Sequence, residues 1–314
     1  MFHPLVSIII PVYNGANYMR EAIDSALAQT YNNTEVIVVN DGSNDEGATD
    51  RIARSYGDRV RYFTKENGGV SSALNLGIRM MKGDYLSWLS HDDMYAPTKI
   101  EKQVALIAEQ ARDNTIAMCA RQQINSESVK IGSSARSNLP LCQVLNWKQA
   151  LMYVINHSCN GCALLIPKAL LSKCEEFDEN LRYSQDFLMW ARLFMSGASL
   201  IYHDDVEVFS RVHSQQVTVA KKDLFLHDST VIAELLSPDL AGLSDENNAF
   251  LYAFAKTNAI HLNPIAVECC IEFGRRSGTI TAVQSFKLKL LCVYGAIRPC
   301  LRKVYYCVVK RTKI

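Results

Sequence analysis

No stretch of this chain approaches the roughly 18 uninterrupted apolar residues of a membrane-spanning helix; the most suggestive, Leu290–Ile297, lies between Lys289 and Arg298. No Lys or Arg stands between Met1 and Arg20, so the apolar run Leu5–Val12 lacks the charged flank of a secretory signal, and no export signal is expected. Ten cysteines among 314 residues fall well below the density of a disulfide scaffold, which points to a reducing cytosol. Cys159-Asn160-Gly161-Cys162 has metal-site spacing, but no second C-x-x-C completes a zinc site, and a buried small-residue strand is expected there instead. Also missing are G-x-x-x-x-G-K-[ST] and G-x-G-x-x-G, which argues against P-loop enzymes and dinucleotide dehydrogenases. Acidic residues stop at Glu272. Residues 273–314 hold ten Lys or Arg, so the overall 33 basic and 32 acidic side chains divide into a net −9 up to Glu272 and +10 after it.

With 48% hydrophobic and 21% charged residues, the composition is globular rather than disordered or fibrous. Short β-branched runs alternate with helical patterns in the first third. Val6–Ile10, Glu35–Val39, Val60–Phe63 and Asp84–Leu89 read as strands. Asn17–Thr30 sets Ile23, Ala26, Leu27 and Thr30 on one helical face, and Val70–Met81 does so with Ala73, Leu74, Gly77 and Ile78. This alternation implies an α/β fold with parallel crossovers and a sheet covered on both faces. Ligands then bind beyond the carboxyl ends of the strands, which carry Pro11-Val12-Tyr13-Asn14, Asn40-Asp41-Gly42-Ser43 and Ser90-His91-Asp92-Asp93. Further on, the pattern predicts a helix at 97–110, a loop or exposed hairpin at 122–140, a helix at 147–156, a strand at Gly161–Ile166 and an amphipathic helix at Gln185–Ser196 with Ser184 as N-cap. From about Lys222 only helical patterns remain, dividing the chain into residues 1–220 and a helical C-terminal region, 221–314.

Asp41, just after the second strand, suits a nucleobase N–H or a ribose hydroxyl. Asp92 and Asp93 offer the hard oxygen ligands that hold Mg²⁺ or Mn²⁺ together with substrate phosphates, and a metal-bridged nucleoside diphosphate is the natural ligand. The same pair also suits a turn or the start of the helix at 97–110.

In order and spacing, these blocks resemble the family 2 glycosyltransferases, inverting enzymes of the nucleotide-sugar-binding GT-A fold. The matching stretches are Val6–Asn14, Val38–Asp45, Asn67–Gly77 and Ser90–Asp93, then Phe177–Leu181 with Gln185–Arg192, and Tyr202–Val212 leading to His213. The resemblance implies a base and ribose pocket lined by Pro11, Tyr13 and Asn14, with Asp41 on the base edge and Asn67, Gly68 and Gly69 passing the donor. It implies Asp92 and Asp93 at ribose and metal, Arg211 and His213 closing over the diphosphate with His213 as hydrogen-bond donor or metal ligand, and Asp186 as general base. The sequence departs from the family at Ser90, where the first acid of the Asp-x-Asp-Asp motif is missing, at Gln185, where Glu is frequent, and at Leu74, where Arg is frequent.

The implied activity is transfer of a sugar, with inversion, from a nucleotide diphosphate donor, foremost UDP, to a saccharide or lipid-linked acceptor in cell-surface polysaccharide synthesis, assisted by Mn²⁺ or Mg²⁺. A catalytically inactive sugar-nucleotide-binding subunit and, further off, a sugar-nucleotide pyrophosphorylase are the alternatives. In the tail, Leu290, Tyr294, Ile297, Leu301, Val304 and Val308 form a helical stripe, interrupted at Pro299. It reads either as an interfacial helix for an anionic membrane surface or as a face packed on the catalytic domain. The expected location is cytoplasmic, peripheral on the inner face of the plasma membrane. No aromatic-basic groove for nucleic acid accompanies the charge.

Overall fold

The computed structural model describes residues 2–110, 113–157, 159–213, 222–245 and 249–294. Its contacts divide into two compact units, Met1–Leu151 with Ser158–Lys221, and Met152–His157 with Lys222–Ile314.

In the first unit, β1 (Val6–Val12), β2 (Thr34–Asp41), β3 (Arg61–Lys65) and β4 (Tyr85–Trp88) are connected through α1 (Met19–Leu27), α2 (Ala48–Arg54) and α3 (Val70–Met80). Every residue of β1 is buried, which is why the strand reads as a continuous apolar run rather than an alternating one. The order is β3-β2-β1-β4, all parallel, so the chain winds outward from β1 and then crosses to its other side. Pairing of β1 with β4 ends at Ile9–Trp88, whereas pairing with β2 continues to Val12–Asn40. Pro11, with no N–H to donate, occupies the part paired on one side only. Beyond Ile9 and Trp88 the strands β1 and β4 part, the position such sheets use for ligands.

The sheet continues β4-β9-β6-β10-β5 through β5 (Met94–Tyr95), α4 (Lys99–Gln110), β6 (Thr115–Ile124), β7 (Lys130–Ala135), β8 (Val144–Leu145), α5 (Trp147–Asn156), β9 (Leu164–Pro167), α6 (Lys168–Leu171), α7 (Gln185–Met195) and β10 (Ser199–Arg211). Strand β9 is antiparallel to both β4 and β6, while β6 and β10 are parallel. The result is a mixed α/β sheet whose long registers are parallel and whose antiparallel pairings are short. The polar stretch after Gln122 contains the antiparallel β6–β7 hairpin. The strand expected from Gly161 begins only at Leu164, because Gly161–Ala163 forms a 3-10 turn in which Asn160 Oδ1 accepts the Cys162 N–H at 2.9 Å. Ser184 precedes α7 but makes no side-chain cap bond.

The second unit contains α8 (Lys222–Leu243), α9 (Phe250–Ile260) and α10 (Pro264–Ser277), followed by α11 over 282–294. Asn263 caps α10 by accepting the Ala266 N–H, with Pro264 in the first turn. The expected stripe positions from Ile297 to Val308, and Pro299, lie outside the described residues.

Helix α3 approaches β1 at Gly77, where a Cβ would stand 2.5 Å from Ile9 Cγ2. Gly77→Ala gains about 1 kcal/mol of helix propensity but forces overpacking that costs about 1–3 kcal/mol. Urea unfolding is expected to show a lower midpoint at unchanged slope; a higher midpoint would mean that α3 has room to spare.

Candidate active site

Asp92 and Asp93 follow β4 directly, yet their side chains have different surroundings. Asp93 is buried; its Oδ1 accepts the Arg211 N–H at 2.9 Å, and the Cys162 thiol lies 3.5 Å from its Oδ2. Burial, and then the charge of Asp92, push its carboxyl well above the usual carboxylate range. Asp92 instead meets His213, with Oδ2 and Nε2 3.1 Å apart and side chains 14% and 11% exposed. Of the three expected metal ligands the structure therefore brings two together, Asp92 and His213. The Asp93 carboxylate links the rim after β4 to β10 and the Cys162 turn. Among the described residues no group of three or more His, Cys, Asp or Glu is arranged to hold a metal.

Arg211 is enclosed likewise. Its guanidinium has 0% side-chain exposure. Nε donates to Asp92 O at 2.9 Å, Nη1 to Asn125 O, Ser126 O and Ser128 Oγ at 3.0–3.1 Å, and Nη2 to Glu21 Oε2 at 2.9 Å. A cation so enclosed braces the rim from within and presents no face to a diphosphate. Tyr18 lies against both neighbours, 4.3 Å from the Arg211 guanidinium and 5.1 Å, ring to ring, from His213.

At the ends of β1 and β2, Tyr13 is exposed while Pro11 is buried within its strand, so Pro11 shapes the floor instead of lining an open surface. Asn14 joins the two strand ends. Its N–H donates to Ser43 Oγ at 2.9 Å, and its side chain exchanges bonds with Asn44 at 2.8 and 2.9 Å. Asp41 is buried and accepts from Lys65 Nζ at 2.9 Å, Gly68 N–H at 3.0 Å and Gly69 N–H at 2.7 Å, while Asn67 Nδ2 donates to its carbonyl at 3.0 Å. With three of a carboxylate's roughly four acceptor positions so used, Asp41 chiefly fixes the 67–69 loop.

Asp186 lies in the first turn of α7. Burial pushes its carboxyl up to about 6, against the opposing bond from the Phe187 N–H at 2.8 Å. Its charge also acts on Cys159, whose thiol is pushed up to about 12, first by burial and then by Asp186. Asp93 acts in the same way on Cys162. The short 159–162 segment thus has Asp186 near one end and the Asp92–Asp93 rim near the other. Phe177 joins the same two regions from another side, meeting Trp88 and Trp190 edge-on at 6.3 and 6.0 Å. Gln185 Oε1, Trp88 Nε1 and Trp190 Nε1 are buried there without hydrogen-bond partners. Sequence reasoning missed Cys162 as a partner of Asp93. It also missed Lys99, which is buried beneath β4 on Ser87 Oγ and Gln103 Oε1 at 2.8 and 2.9 Å and is depressed by burial to about 8. A lysine within an apolar helical stripe was the one available signal for Lys99.

A carboxyl raised from 3.8 to about 6 on folding binds its proton more tightly in the folded than in the unfolded state. Stability therefore falls as pH rises from about 3.8 through about 6, and at neutral pH the charge is a liability. Asp186→Asn is expected to raise the melting temperature at pH 7.5 and to leave it nearly unchanged at pH 3.5. Calorimetry showing no gain at pH 7.5 would mean that the carboxylate is well solvated.

The model of glycosyl transferase family 2 matches residues 7–171. An uncharacterized glycosyltransferase of Rickettsia bellii is 44% identical over 269 residues, which make up 84% of this chain and 38% of that protein. The chain thus spans well under half the length of this relative. Among solved structures, Staphylococcus aureus TarS 1–349 in complex with UDP-GlcNAc superposes with a TM-score of 0.62 at 16% identity, covering 90% of each chain. The mannosyltransferase PcManGT of Pyrobaculum calidifontis, in complex with GDP-Man and Mn²⁺, gives 0.56 at 18% identity, covering 100% of this chain and 87% of that one. At these identities the structural likeness establishes the GT-A fold alone.

Proposed function

The chain belongs to glycosyl transferase family 2, and from that premise we propose that it moves a sugar, with inversion, from a nucleotide diphosphate donor, UDP foremost, to a saccharide or lipid-linked acceptor of a cell-surface polysaccharide. One observation supports this reading: the charge of Asp186 acts on Cys159, and those of Asp93 and Asp92 act on Cys162, at the two ends of one four-residue segment. The base and ribose would lie over Tyr13, Asn14, Asp41 and the 67–69 loop.

Asp186 would take the proton of the acceptor hydroxyl as that oxygen attacks the anomeric carbon opposite the departing nucleoside diphosphate, a contribution of about 10²–10⁴ in rate. Its partial desolvation brings the carboxyl close to working pH, where a general base is most effective. Asp92 and His213 offer the oxygen and nitrogen donors that suit Mn²⁺, or Mg²⁺ through Asp92; such an ion would supply Lewis-acid stabilisation of the leaving diphosphate. TarS and PcManGT, of the same fold, were solved with nucleotide sugars, which supports the donor class.

Thermal shift with UDP-sugars is expected to rise further with Mn²⁺ in the wild type, and Asp92→Asn is expected to lose the metal increment. Asp186→Asn is expected to keep donor binding and lose transfer of radiolabelled sugar by about 10²–10⁴. Undiminished transfer in Asp186→Asn would remove it as the base. Binding without any turnover in the wild type would favour an inactive sugar-nucleotide-binding subunit.

The second unit supports attachment to an anionic membrane on the inner face of the plasma membrane. On α11, Val283, Phe286, Leu290 and Val293 follow one another at helical spacing and are 53–67% exposed, while Ser285 and Leu288 are buried. No acidic residue follows Glu272, and although Lys289 pairs with Glu268 of α10 at 2.6 Å, apolar side chains and cations occur together along α11, a composition that suits an interfacial helix. No described helix is long and apolar enough to cross a membrane. Flotation with phosphatidylglycerol vesicles at low salt is expected for the wild type and is expected to be lost in Phe286→Asp with Leu290→Asp; equal flotation of that double variant would exclude this face.

A further inference from the structure

The segment leading into α7 is fastened along the whole of α3. At the C-terminal end of the helix, Arg79 Nη1 meets both oxygens of Glu176 at 2.8 and 2.7 Å. In the middle, buried Asn75 grips the backbone of Phe177: Nδ2 donates to Phe177 O and Oδ1 accepts its N–H, each at 2.9 Å, and Nδ2 also reaches Glu179 Oε1 at 3.1 Å. At the N-terminal end, Arg182 Nη1 donates to Gly68 O at 3.2 Å. Gly69 makes this approach feasible, since a Cβ there would stand 2.6 Å from the same nitrogen, and its φ of +89° favours glycine in any case. Residues 176–182 thus run antiparallel to α3 and reach the glycine loop four residues before Asp186.

The three attachments differ in kind. The Arg79–Glu176 pair is half exposed on both sides, and such pairs contribute little. The Asn75 clamp is buried and bonds to backbone on both sides of one peptide position. Arg182 is exposed and bonds to a carbonyl of the loop whose N–H groups Asp41 holds. It is the attachment that a ligand on the loop can strengthen or weaken.

Resting on the donor site proposed above, we infer that Arg182 is a positioning residue through which nucleotide on the 67–69 loop and the placement of Asp186 are coupled. By linkage the coupling acts both ways: ordering the loop steadies residues 176–187, and steadying those residues favours the nucleotide.

Amide hydrogen exchange on the full chain, with and without UDP and Mn²⁺, tests this. In the wild type, exchange is expected to slow several-fold at 67–72 and also at 176–187. In Arg182→Gln the first effect is expected to persist and the second to vanish, with Arg182→Lys restoring part of it. Arg79→Ala is expected to respond as the wild type. No slowing at 67–72 in the wild type would overturn the donor reading and this inference with it. Slowing at 67–72 alone in the wild type, or at both segments in Arg182→Gln, would overturn the inference and spare the donor reading. Loss of the distant effect in Arg79→Ala as well would show general loosening of the segment and overturn the assignment to Arg182.

Discussion

The buried guanidinium of Arg211 holds together four pieces of chain: the end of β10, the rim after β4, the β6–β7 turn and α1. Each of its nitrogens has an acceptor, and the Tyr18 ring covers it. Breaking a buried charged contact by removing one partner costs about 3–5 kcal/mol, so these pieces are bound to a common geometry. The backbone N–H of the same residue takes up Asp93. Asp92 then faces His213, two residues beyond Arg211. The candidate metal pair is a consequence of where this cation is buried.

Three carboxylates, two after β4 and one in the first turn of α7, have three characters, the pattern by which environments separate acid and base roles. Asp93 is enclosed and its proton affinity raised. Asp92 is paired with an imidazole. Asp186 stands at a helix start, where the dipole favours the charge by about 0.3–1 kcal/mol, yet its carboxyl still rises to about 6, so desolvation outweighs the dipole. The protein tolerates an unfavourable charge there, as catalytic positions commonly do.

What could be read from the sequence was local. The parallel strands, the polar rim and the first turn of α7 each announce themselves within a dozen residues, by β-branched runs, turn formers or three-to-four spacing. The choice between two adjacent aspartates was not local, because it depends on the Arg211 N–H and the Cys162 thiol, 118 and 69 positions away from Asp93. The diphosphate role expected of Arg211 came from the family resemblance; the carbonyls of 125 and 126 that enclose it belong to a polar turn whose destination the sequence does not reveal. The Asn75 clamp on Phe177 spans 102 positions and was equally out of reach. The burial of Pro11 depends on β2 pairing with β1 for three residues beyond the last pair with β4.

Whether Asp92 and Asp186 serve one ligand is the claim on which the mechanism stands. Bound Mn²⁺ is paramagnetic and broadens nearby nuclear resonances, so adding Mn²⁺ with UDP to labelled protein maps the surroundings of the ion. If both serve one ligand, the amide signals of Gln185–Phe187 broaden together with those of His91–Asp93 and His213. Broadening at the rim while the start of α7 stays sharp would contradict it.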